Sequence, residues 1–79
     1  MKVLLRSTRN RSYIQAENRW TYEQSAARDF GSTVRAIRFS VQQKLENVEV
    51  LVTLGDPLYD VTFPLPNPPG RSHGAQLTR

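Results

Sequence analysis

Only one stretch of this chain repeats its apolar residues with the period of an α-helix. Val34, Ile37, Val41 and Leu45 recur at spacings of three, four and four, which places them on one helical stripe. Ser32 or Thr33 can accept a hydrogen bond from the free amides of the first turn. Asn47 tolerates the left-handed backbone on which helices often stop. The spacing predicts a helix over Thr33–Glu46, with the stripe in the core and Arg35, Arg38, Gln42 and Gln43 in water. Phe39 lies off the stripe and is expected to pack against the arm that carries Trp20. One helix covers one face of one sheet, so the remaining segments must supply that sheet.

The segments on either side read as strands. Lys2–Arg6 is followed by turn chemistry in residues 7–12, where Asn10 suits a left-handed position. Tyr13–Ala16 and a short Trp20–Tyr22 piece complete a β-meander. Glu23–Asp29 has room for one or two helical turns. Val48–Leu54 is the strongest strand, β-branched at Val48, Val50, Val52 and Thr53. Gly55-Asp56-Pro57 forms a turn. Asp60–Leu65 follows as a last strand, confined to an edge or ended by Pro64, which has no N–H to donate. The reading is a single small α+β domain over residues 1–66, in the order β-β-β-α-β-β, with a mostly antiparallel sheet and one main helix on one face. Residues 67–79 are rich in Pro and Gly and poor in apolar side chains, and are expected to form a disordered tail.

Strand alternation then divides the side chains between the two faces. Val3, Leu5, Ile14, Ala16, Val50, Val52, Val61 and Phe63 fall on the face that takes the helix. Lys2, Leu4, Arg6, Tyr13, Gln15, Glu49, Leu51, Thr53 and Thr62 fall on the other, which a single helix leaves open. Leu4, Tyr13, Gln15, Leu51 and Thr53 are therefore the expected protein-binding surface, for a partner or for a second copy as a homodimer. A core of this size is marginal, and oligomerisation is one of the few devices left to a chain of 79 residues with no cysteine.

Charge suggests an alternative. Residues 1–20 carry Lys2, Arg6, Arg9, Arg11 and Arg19 against Glu17 alone, and the whole chain has a net charge of +4. Such a hairpin could neutralise phosphates while Tyr13 or Trp20 stacks on a base, making a weak nucleic-acid binder. Against it, the 46–60 segment of the same sheet is acidic.

Catalytic chemistry has little to draw on. The single histidine, His73, lies in the tail, and no cysteine is present. No nucleophile–base set can be assembled, no phosphate-cradling glycine motif occurs, and no cluster has metal spacing. The expectation is a non-enzyme without cofactor. Pro66, Pro69 and Arg71 match a P-x-x-P-x-R pattern, which a Pro-rich tail produces by composition alone. No apolar run reaches the ~20 residues of a membrane helix, and no leader is evident, so a cytoplasmic location without membrane contact is expected.

The stretch from Tyr13-Ile14-Gln15 through Trp20-Thr21, Ala26-Ala27, Phe30, Ser32 and Ala36 resembles small uncharacterised bacterial proteins of β-meander/helix type. The matching residues are an aromatic anchor, a helix cap and small packing residues. The resemblance implies the meander-then-helix order and no site.

Overall fold

Val48–Thr53 pairs residue for residue with Lys2–Ser7, from Lys2↔Thr53 to Ser7↔Val48. β-Branched and leucine-rich runs of equal length favour this long antiparallel ladder. The computed structural model describes residues 1–67. Its strands are β1 (Lys2–Ser7), β2 (Tyr13–Ala16), β3 (Arg19–Thr21), β4 (Val48–Thr53) and β5 (Val61–Pro64), with one α-helix, α1 (Thr33–Gln42). The sheet is antiparallel with order β3-β2-β1-β4-β5, and the fold is α+β. Pro64 closes an edge strand, as its missing N–H requires. The tail expected from residue 67 lies outside the described residues except for Asn67, whose side-chain carbonyl accepts a hydrogen bond from the Asn47 N–H.

β1 and β2 pair only at Arg6↔Tyr13. Beyond that point residues 28–30 take the place of a ladder between them. The Arg28 N–H donates to the Ile14 carbonyl, and the Phe30 N–H donates to the Val3 carbonyl. Asp29 Oδ1 accepts from the Val3 N–H at 3.0 Å and from the Gly31 N–H at 2.9 Å. Gly31 follows at φ +82°, a left-handed turn that costs glycine little. The expected helical turns of Glu23–Asp29 reduce to one 3-10 turn, Gln24–Ala26, because residues 28–30 are drawn out as this wedge.

The wedge delivers Phe30 into the core with Val3, Leu5, Ile14, Ala36 and Val50. Phe39 packs on Phe30, with ring centroids 5.1 Å apart, and not on the Trp20 arm. This contact sets the rotation of α1 and overturns the predicted helix face. Ala36 and Ser40 are the residues of α1 that are buried. Val34, Ile37 and Val41 are 61%, 42% and 68% exposed. Of the predicted stripe only Leu45, beyond the end of α1, packs on the core; Phe39 and the small Ala36 let the helix lie on its other side against β1 and β4.

The helix is also shorter than predicted. Ser32 caps it by accepting from the Arg35 N–H. At its end the Lys44 N–H donates to the Val41 carbonyl and the Leu45 N–H to the Ser40 carbonyl. Lys44 takes the left-handed position at φ +53°, a Schellman closure three residues ahead of Asn47. Asn47 is left-handed too, but it serves the turn into β4. In the 7–12 loop, Arg11 rather than Asn10 has positive φ; the Asn10 side chain instead accepts from the Ser12 N–H and hydroxyl.

The helix rotation predicts opposite responses from neighbouring positions. Ala36→Leu should destabilise by about 1–3 kcal/mol through overpacking. Val34→Ala should change stability by less than about 0.5 kcal/mol. Denaturant unfolding at low protein concentration measures both, and equal losses would put the apolar stripe back in the core.

Candidate functional site

On β1, β4 and β5 the register confirms the division of side chains between the two faces, while in β2 an irregularity between Ile14 and Ala16 interrupts it; the far face is not open where apolar residues were expected. Leu4 and Leu51 stand opposite each other on the two central strands and are 0% and 1% exposed. Thr53 is buried, Tyr13 half-buried, and only Gln15 of the five expected binding residues is exposed. The Leu4–Leu51 pair is bordered by an Arg6–Glu49 row on one side and a Lys2–Thr53 row on the other, with Thr62 opposite Leu51 on β5. Alternation assigns a face; it does not state how exposed a position on that face will be.

Arg6 is paired with Glu49 and does not stand free on a basic surface. Its guanidinium bonds Glu49 Oε2 through Nε at 2.7 Å and through a terminal nitrogen at 2.6 Å. Burial pulls its pKa down, but hydrogen bonds to Glu49 and to Tyr13 outweigh this and hold it above the usual value. A row Tyr13–Arg6–Glu49 thus crosses β2, β1 and β4, already neutralised. The remaining residues of the basic hairpin do not converge. Lys2 lies at one end of β1, and Arg9 and Arg11 lie on the exposed loop past the other, tied to the Asn47 turn by the Thr8 N–H. Arg19 and Trp20 are exposed on the edge strand β3.

Three other arginines do converge, of which Arg35 and Arg38 were expected only on the polar side of the helix. Arg28 on the wedge, and Arg35 and Arg38 on α1, line one cavity of about 360 Å³ together with Phe30 and Phe39. The Arg28 guanidinium carbon lies 4.9 Å from the Phe30 ring centre and 5.3 Å from that of Phe39. None of the three pairs with a carboxylate among the described residues. Asp29 also borders the cavity, but its carboxylate is occupied by backbone amides. A hydrogen bond from the Val3 N–H, and then one from Gly31, holds its pKa below the usual carboxylate range. Sequence reading missed this cluster because Arg28 lies outside the helix. The available signal was Arg35 and Arg38 sharing a flank with Phe39, which implies a ring and two cations on one side of α1.

The second surface is the opposite flank of α1. Ile37 lies about 100° around the helix from Ala36, and Phe39 about 60° the other way. Since Phe39 faces Phe30 beside β1 and β2, Ile37 and Val41 face the β4–β5 side. There Val61 and Phe63, paired with Val52 and Val50, point to the helix side of the sheet yet are 47% and 46% exposed.

Among the described residues no group of His, Cys, Asp and Glu is placed to hold a metal ion, and no helix is long and apolar enough to cross a membrane. No family model, curated protein or solved structure matches this chain.

Asp29 gives the site a pH signature. Its folded pKa lies below its unfolded one, so its stabilisation is complete above about pH 4 and is lost as pH falls through the folded value. Asp29→Asn should therefore show a shallower loss of stability below about pH 4 than the parent chain. Thermal melts across that range would show it, and parallel profiles would contradict the clasp.

Proposed function

We propose that this chain is a non-enzymatic interaction module that associates with a second copy of itself. The surface is the apolar flank of α1 with β5, in place of the sheet face around Leu4 and Leu51. One observation carries the reading: Val34, Ile37 and Val41 form a continuous helical row that the domain leaves in water. Exposed apolar groups cost little singly, but a contiguous row beside a second apolar strip is the usual mark of an association surface.

The arrangement suits a second copy. The row is uncharged and can meet its own image across a two-fold axis, as an isologous interface requires. Val61 and Phe63 on β5 extend it, so a partner's helix has both a ridge and a strand to pack against. A domain this small gains from such burial, because a single core of its size rarely supplies more than about 3–5 kcal/mol.

Sedimentation over a range of concentrations tests the proposal. The parent chain should pass from monomer to dimer, and Ile37→Lys should remain monomeric with unchanged far-ultraviolet circular dichroism. A parent chain that stays monomeric, or an Ile37→Lys chain that still dimerises, would overturn it.

A further inference from the structure

Arg28, Arg35 and Arg38 meet in one cavity, and the domain's own carboxylates do not neutralise them. With Asp29 ionised, the cavity keeps two positive charges in excess of its single negative one. Like charges gathered without partners raise the energy of the empty site, and an anion entering it lowers that energy. Arg35 and Arg38 are three residues apart on one flank of α1, close enough for their forked donors to share one oxyanion.

Arg28 adds a flat surface. The Phe30 and Phe39 rings lie against its guanidinium, which holds the group flat without using its N–H donors. A planar guanidinium supported in this way is a stacking platform for a nucleobase. Gln42, one turn on from Arg38, also lines the cavity and can donate to and accept from a base edge.

We propose that this cavity binds a nucleotide unit, with its phosphate on Arg35 and Arg38 and its base against Arg28. The shared chemistry could come from a free mononucleotide or from one residue of a single strand. The apolar row contributes no residue to this cavity, although Val34 and Arg38 are neighbours one turn apart on α1, and the proposal does not rest on self-association.

The test is a nuclear magnetic resonance titration of the full chain at low salt with three probes. These are adenosine monophosphate, a thymidine oligonucleotide of about ten residues and inorganic phosphate. At least one nucleotide probe should shift the resonances of Arg28, Arg35 and Arg38. Arg38→Glu should weaken that binding by about tenfold or more, whereas Arg11→Ala, on the exposed loop, should leave it nearly unchanged. Equal binding of the mononucleotide and of each oligonucleotide residue would assign the free nucleotide as ligand. Binding of the oligonucleotide alone, falling steeply with salt, would assign the single strand. Inorganic phosphate binding as tightly as either would overturn the base-stacking assignment. No shift at these arginines, or binding indifferent to Arg38→Glu, would overturn the site. Circular dichroism of Arg38→Glu, an exposed position, separates lost binding from lost fold.

Discussion

The carboxylate of Asp29, held between the amides of Val3 and Gly31, is the contact on which the rest of this structure depends. β1 and β2 part after a single paired position. Without residues 28–30 between them, the Val3 carbonyl and the Ile14 carbonyl would lack the amides they now accept from. A buried backbone group left unpaired is costly, so the wedge is what allows the meander to splay.

The same wedge fixes what the helix shows to solvent. It seats Phe30 in the core, Phe39 packs on Phe30, and Ala36 and Ser40 turn toward the sheet. The apolar row of Val34, Ile37 and Val41 is thereby turned outward on one flank. Arg35 and Arg38 are brought beside Arg28 on the other. Two surfaces of opposite character follow from one aromatic contact, one uncharged and suited to burial, the other cationic and suited to an anion.

Much of the fold was legible in the sequence. The β-branched run after Asn47 marked the strand β4, Pro64 marked an edge or a strand end, and alternation placed Val3 and Leu5 on the helix face and Leu4 on the other. These features are local, and the periods of strand and helix express them directly. The orientation of α1 was not legible, because a stripe states which residues lie together and not which way they turn. Phe39 and Ala36 decided the matter through a residue, Phe30, that lies outside the helix. The burial of Leu4 and Leu51 was not legible either, since alternation assigns a face and not an exposure. The arginine cavity escaped because its members come from two separate segments.

Hydrogen exchange of individual amides tests the wedge most directly. The Val3 and Phe30 amides should exchange slowly in the parent chain. In Asp29→Ala the Val3 amide, which loses its acceptor, should exchange faster, and Phe30 should follow it. The β1 amides that face β4, those of Leu4 and Arg6, should keep most of their protection. Exchange of Val3 and Phe30 at the rate of free amides in the parent chain, or rates unmoved by Asp29→Ala, would contradict the account.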